Sequence, residues 1–271
     1  MTPSAPVKRL SRLVPALAIA AIAAGCASVP NPNPVDPWES YNRSMYQFND
    51  TVDRALIKPI ATGYAQLTPK PAQTCVHNMF NNVFDVWSAF NSFIQGRGVD
   101  FFNTLGRVLF NSTMGLGGCI DVASMNGSKR IVNDFGVTLG VWGLESGPYV
   151  VLPFFGPSSL RDGAGRAVDV FGGAATDMTL TAITNIPLRN SLIGIGLIDA
   201  RANLLSADKL VNELALDRYS FIRDAYLQRR KSLVKGHKVQ MNGVPDQSEE
   251  ALPDYSDNAA IPAKPAQKAA Q

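Results

Sequence analysis

Charged residues are scarce in this chain of 271 residues: Asp, Glu, Lys and Arg together make up 17% of it. Soluble domains usually carry about 25%, so the deficit favours contact with an apolar medium. Lys8, Arg9 and Arg12 near the N-terminus account for the formal net charge of +3, and the rest of the chain is electrically balanced. Nucleic-acid-binding proteins present a basic face, so the sequence predicts no nucleic-acid partner.

The residue patterns of common enzyme classes are also missing. The two histidines lack the neighbours that a zinc site requires, and the chain has no Gly-x-Ser-x-Gly turn and no phosphate-binding loop ending in Gly-Lys-Ser/Thr. The fragments at 163–165 and 194–196 lack the third glycine of a dinucleotide loop, and we interpret them as sites of tight helix packing. The sequence therefore predicts no enzyme activity, no metal and no cofactor.

The apolar run near the N-terminus, residues 13–24, carries no charge and is too short to span a hydrocarbon core of about 30 Å. Because it follows three basic residues, it predicts a signal peptide over 1–25. The run ends in Ala23-Ala24-Gly25-Cys26, which resembles a lipobox and predicts acyl chains on Cys26. The alternative is an ordinary secretory signal that contains a cysteine. Residues 26–35 then form a Pro-rich tether.

Two further cysteines, Cys75 and Cys119, remain. An even pair in an oxidising compartment favours a disulfide. The closed loop of about 45 residues would then stabilise the fold by roughly 3–4 kcal/mol on the chain-entropy estimate. The alternative is two buried free thiols.

The periodicity of apolar residues predicts a mostly helical domain over 36–236 and a disordered tail over 237–271. The first helix would begin with Asp36 as its N-cap and end before Pro59. Residues 134–162 are interpreted as an apolar loop and not as a strand hairpin, since Pro148 and Pro153 would interrupt a central strand. The remaining helices are predicted over 71–95 and 99–112, from Ser158 or Ser159 onward, and over 207–235.

Five motifs occur in one order along the chain: DPWESYNR at 36–43, GGCIDVA at 117–123, DFGVTLG at 134–140, GPYVVLP at 147–153 and GPSSLRD at 156–162. Together they resemble the VacJ/MlaA lipoprotein family over residues 35–235. The resemblance implies an all-α fold, a ring of amphipathic helices lying in the membrane with Gly/Pro-rich apolar loops and a central channel.

The resemblance also implies a function. Members of this family are outer-membrane lipoproteins on the inner leaflet that remove mislocalised phospholipid from the outer leaflet. They pass it to a soluble periplasmic carrier, and trimeric porins hold the ring in place. The alternative is a porin-associated adaptor that moves no lipid itself. The sequence alone leaves both open.

The charged residues beside the apolar, Gly-rich segment are candidates for the channel wall, because charges in that setting need water or partners. They are Arg161, Asp162 and Arg166. The alternative is a structural ion pair that closes the loop onto the following helix.

Overall fold

The computed structural model of the protein describes residues 33–175, 178 and 180–239. The predicted signal peptide, Cys26 and residues 240–271 of the predicted tail lie outside the described residues. Within them the helices are α1 Glu39–Val52, α2 Lys58–Leu67, α3 Lys70–Ile94, α4 Gly98–Thr113, α5 Val122–Met125, α6 Phe135–Val141, α7 Leu160–Ala175, α8 Ile186–Asn203, α9 Leu205–Leu214 and α10 Arg218–Val239. Strands β1 Tyr149–Leu152 and β2 Gly156–Ser159 lie between α6 and α7. The mostly helical fold is confirmed.

The first helical segment does not end before Pro59, so that prediction is wrong. A π-helical turn, Asp53–Ile57, joins α1 to α2, and Pro59 lies in the first turn of α2. A proline ring crowds the carbonyl four residues earlier, and here that carbonyl belongs to Ala55 in the π turn, where the helix is wider. The Asp36 cap is also wrong: α1 begins after Trp38 without a side-chain cap, and Asp36 is turned inward.

The second and third predicted helices are confirmed to within one residue as α3 and α4, which pack against each other as a hairpin. The connection between them is short, and Gly96 adopts a φ of 73°. At the other end of the hairpin the structure joins Cys75 and Cys119 in a disulfide with 4.1 Å between the Cα atoms. Asn78 Nδ2 donates to the Cys119 carbonyl at 3.1 Å, so the Gly-rich turn after α4 is fixed to α3.

The interpretation of 134–162 as a loop without a hairpin is wrong. Residues Phe135–Val141 form α6, and β1 pairs antiparallel with β2, with Tyr149 opposite Ser159 and Leu152 opposite Gly156. Prolines are compatible with this sheet because it has only two strands, and each strand is therefore an edge.

The single helix predicted over 207–235 is also wrong, because the chain breaks after Leu214 into α9 and α10. Asp217 explains the break, since its carboxylate accepts from the Tyr219 N–H and the Ser220 hydroxyl at the start of α10. A side chain that binds the orphan donors of a first turn stabilises a new helix start. The helix then continues to Val239, past the predicted start of the tail.

The hydrophobic core is small and centred on the β hairpin: Tyr149, Val151 and Tyr219 pack together beneath α1 and α10. Two amides on α1, seven residues apart, hold the first strand in place. Asn42 accepts from the Val151 N–H at 2.8 Å and donates to the Tyr149 carbonyl at 3.0 Å. Asn49 donates to the Leu152 carbonyl at 2.9 Å. The hairpin therefore has a fixed position against α1.

Candidate functional site

Burial in this protein is inverted relative to a water-soluble domain. Among the described residues, 8 hydrophobic side chains are buried, compared with 21 polar or charged ones. In the same part of the chain, 36 large hydrophobic side chains are exposed. Soluble proteins rarely bury charged residues, and they rarely expose extended apolar surface. The outside of this fold therefore suits an apolar environment and the inside suits polar groups.

The α3–α4 hairpin shows the inversion most clearly. Its inward face is a polar seam, which we define as Asp85, Ser88, Asn91 and Ser92 on α3, Gln95 and Arg97 in the connection, and Asp100, Thr104, Arg107 and Asn111 on α4. Its outward face exposes Phe84 and Phe93 on α3 and Phe102, Leu109 and Phe110 on α4. Each helix is thus amphipathic with its polar side directed into the protein.

Hydrogen bonds tie the middle of the polar seam to the segment before α6 and to α6 itself. Ser88 donates to the Ile131 carbonyl at 2.7 Å and accepts from the Asn133 N–H at 2.8 Å. Thr138 on α6 donates to Asn91 at 2.8 Å. These bonds compensate for removing the polar groups from water.

A network of charges occupies the disulfide end of the seam. The guanidinium of Arg107, whose side chain is 1% exposed, lies 2.8 Å from the Asp121 carboxylate and 3.8 Å from that of Asp85. Burial opposes ionisation of Asp121, but hydrogen bonds from Ser124, Arg107 and Asn111 outweigh it and lower its pKa to about 2. Asp121 therefore stays ionised and compensates Arg107.

Arg97, at the other end of the seam, is different. The residue is 7% exposed, and neither Nη1 nor Nη2 has a hydrogen-bond partner among the described residues. Burial lowers the pKa of Arg97 to about 10, while the nearby Asp100 charge raises it. A buried guanidinium that lacks hydrogen bonds is costly, so this end of the seam is suited to receiving a polar group.

A partly open apolar pocket of about 260 Å³ is formed by α3, α4 and Met178. Eight side chains line it: Val86, Ala89, Phe90, Phe93, Phe101, Leu105, Val108 and Met178. The Phe93 and Phe101 rings, with centroids 5.5 Å apart, belong to the helix turns on either side of Arg97. An apolar cavity of roughly 150 Å³ already admits small hydrocarbons. The hairpin therefore combines an apolar volume with a polar face.

The structure brings Arg161 and Asp162 together as a buried pair at the start of α7. Their side chains are 2.9 Å apart, and Arg230 of α10 lies 2.9 Å from the same carboxylate. Tyr226 donates to Asp162 at 2.7 Å. Burial raises the pKa of Asp162, but these partners outweigh it and the net pKa is lowered. This is the geometry of the ion-pair alternative.

Arg166 is placed differently, since it is exposed and its guanidinium carbon lies 5.4 Å from the centroid of the Phe155 ring. Of the three predicted channel residues, two therefore belong to one buried ion-pair network and the third is exposed beside the hairpin.

Comparisons with known proteins agree with one another. Residues 34–233 match the MlaA lipoprotein family. The chain belongs to the MlaA lipoprotein family. It is 33% identical over 222 residues to the intermembrane phospholipid transport system lipoprotein MlaA of Escherichia coli K12, covering 80% of this chain and 86% of that protein. The Haemophilus influenzae MlaA is 32% identical over 252 residues, with 90% and 95% covered.

A solved structure described as the structural basis for maintenance of bacterial outer membrane lipid asymmetry is also similar. It superimposes with a TM-score of 0.62 and 32% identity, and the match covers 73% of this chain and 98% of the other. The similarity to MlaA therefore extends from sequence to fold. The polar seam, the hairpin and the Arg161–Asp162 network all lie within the matched residues 34–233.

Sequence reasoning missed the Arg97 end of this MlaA fold. The signal was present: Arg97 lies between Gly96 and Gly98, four residues from Phe93 and four from Phe101. A lone cation in an apolar, Gly-flanked connection is unusual, but its burial depends on how α3 and α4 meet.

No helix in the described part of the chain is long and apolar enough to cross a bilayer.

Proposed function

We propose that this chain is an outer-membrane lipoprotein of an intermembrane phospholipid transport system, and that it maintains lipid asymmetry by removing phospholipid from the outer leaflet. The observation that carries the proposal is the inverted burial, with 21 polar or charged residues inside and 36 large hydrophobic ones outside among the described residues. Family membership and the names of the similar proteins support it.

The physical argument concerns the environment of the helices. In a bilayer, backbone polar groups must be satisfied internally, which helices achieve, and amphipathic helices lie in the plane of the interface. Here the apolar faces point outward, so the domain can sit within one leaflet while polar groups remain inside. Acyl chains on Cys26 would anchor it in the inner leaflet of the outer membrane, on the periplasmic side.

The proposal includes a path and partners. Phospholipid head groups would move along the polar interior of a helical ring, and the lipid would pass to a soluble periplasmic carrier. Trimeric porins would hold the ring in the membrane. An adaptor that docks on a porin without moving lipid is the second candidate, because the exposed apolar helix faces would also suit a membrane-protein partner.

A deletion strain tests the proposed function. Loss of the gene is expected to raise the amount of phospholipid on the cell surface, measured by labelling intact cells, and the wild-type chain is expected to restore the normal level. The Cys26→Ser variant is the control for anchoring and should be mistargeted. A deletion strain with normal surface phospholipid, but with altered porin assembly, would support the adaptor and contradict transport.

We also propose that Arg161, Asp162 and Arg166 line the path, and their different settings make the proposal testable. Replacing Arg161 and Asp162 together by alanine leaves the buried Arg230 with only one of its two carboxylates, that of Asp134, and reduced compensation of a buried charge is destabilising. We expect less folded protein from that variant. Arg166→Ala should fold normally, yet raise surface phospholipid in the cell assay. Normal asymmetry with Arg166→Ala at unchanged protein level would contradict its role in the path.

A further inference from the structure

The tip of the β hairpin holds two exposed aromatic residues, and the backbone of the first is strained. Phe154 has a φ of 63°, a conformation that L-residues with bulky side chains rarely adopt. Its side chain is 72% exposed, and that of the next residue, Phe155, is 59% exposed. Strain of this kind persists only where the surroundings impose it, and it clusters at functional positions.

The surroundings that impose the strain belong to α1. Asn49 accepts from the Phe154 N–H at 2.8 Å and donates to the Leu152 carbonyl at 2.9 Å, so one amide bridges the turn. The Phe48 ring meets the Phe154 ring edge-on, with 5.4 Å between the centroids. A glycine at this position would adopt the same backbone without strain, so the aromatic side chain itself needs an explanation.

Packing within the described residues covers these rings only in part. Phe48, the ring partner of Phe154, is itself 44% exposed, and the guanidinium carbon of the exposed Arg166 lies 5.4 Å from the centroid of the Phe155 ring. A cluster of exposed aromatic rings on a rigid tip marks a contact with a partner or with lipid. Rings with a cation beside them are typical of the membrane interface, where the ring meets acyl chains and the cation meets head groups.

The N-terminal connection favours lipid over a protein partner. The Tyr149 N–H donates to the Val35 carbonyl at 3.0 Å, so the chain enters the domain at the base of this hairpin. The predicted acylated residue, Cys26, precedes that point by a short tether. A four-residue strand spans only about 13 Å at the usual rise per residue. The tip therefore lies within reach of the leaflet into which the acyl chains insert.

We propose that the Phe154–Phe155 tip is a lipid-inserting element, with its rings among the acyl chains and Arg166 at the level of the phosphates. The element would work with the acyl anchor to set the depth and tilt of the domain. The inference rests on the proposed function only in requiring that the chain lie at a membrane.

Fluorescence quenching tests the insertion directly. The full-length Phe154→Trp and Phe155→Trp variants are reconstituted into vesicles of phosphatidylethanolamine and phosphatidylglycerol, with and without brominated acyl chains. The signal of the wild-type chain, which contains Trp38, Trp87 and Trp142, is subtracted. Lys231→Trp, at an exposed position in the basic part of α10, is the matched control. Quenching of the tip variants and not of the control is expected, whereas equal quenching overturns the proposal.

A second variant at the tip is expected to increase stability and to reduce function. Phe154→Gly removes both the strain and the ring, so the midpoint of unfolding should rise while restoration of lipid asymmetry falls at equal protein level. A lower midpoint would show that Phe154 serves packing, and normal asymmetry would show that the ring is dispensable; either result overturns the proposal. Quenched tip variants in a chain that fails to restore asymmetry would instead reject the proposed function alone.

Discussion

Replacing Gly165 by alanine is expected to lower the free energy of unfolding by about 3 kcal/mol, the upper end of the range for overpacking. A Cβ on Gly165 would lie 2.4 Å from the backbone nitrogen and 2.5 Å from the Cα of Gly136. Backbone cannot rotate away as a side chain can, so α6 and α7 would have to separate. Chemical denaturation in detergent, with the midpoint and slope compared with wild type, measures the loss.

Gly163 provides a control in the same helix, two residues away. A Cβ there would meet only the Ser158 hydroxyl at 3.6 Å and a Leu152 methyl at 3.9 Å, which are ordinary contacts. Gly163→Ala should therefore be neutral or add up to about 1 kcal/mol through helix propensity. Equal stability of the two variants would contradict the close approach of α6 and α7 at Gly165.

The separation of α6 and α7 would also affect the charges beside them. The Asp162 carboxylate lies 2.9 Å from the position of a Cβ on Gly136, and the Arg230 guanidinium lies 2.7 Å from it. The absence of a side chain at Gly136 therefore allows the Arg161–Asp162–Arg230 network to approach the backbone of α6. We expect Gly165→Ala to raise surface phospholipid in cells as well as to lower stability.

The sequence predicted α3 and α4 well because their apolar stripes follow the helical period without interruption. It interpreted the glycines at 163–165 as packing sites, and the contact of Gly165 with Gly136 confirms this for Gly165. It failed at the β hairpin because the rule applied to prolines concerns central strands, and both strands here are edges. It failed at Leu214 because the capping role of Asp217 depends on backbone geometry that periodicity does not report.

The site was harder to predict than the helices, for a physical reason. An apolar stripe on a helix shows which face differs from the others, but it does not show whether that face points inward or outward. On α3, the apolar residues Phe84 and Phe93 face outward in the structure, whereas Trp87 is buried. The burial of Asp85, Ser88 and Asn91 depends on that choice, since these polar residues of α3 are the ones that lie inside.

Asp36→Ala is expected to destabilise the fold by about 3–5 kcal/mol, the usual cost of breaking a buried ion pair by removing one partner. Asp36 is 1% exposed. It accepts from Tyr219 at 2.5 Å, from Asn42 at 2.7 Å and from Arg223 at 3.2 Å. Burial and the hydrogen bond to this carboxylate raise the pKa of Tyr219, so the phenol remains a neutral donor. Unfolding midpoints of the purified variant measure the loss.

Asp224 is the matched control, because its carboxylate lies 2.8 Å from the same Arg223 but its side chain is 66% exposed. Exposed pairs contribute about 0–1 kcal/mol, so Asp224→Ala should leave stability almost unchanged. Similar losses from the two variants would show that Arg223 alone, and not its buried carboxylate, holds α10 against the N-terminal segment. If Asp36→Ala is the costly one, the buried carboxylate of Asp36 is what holds the start of the domain to α10 through Tyr219 and Arg223.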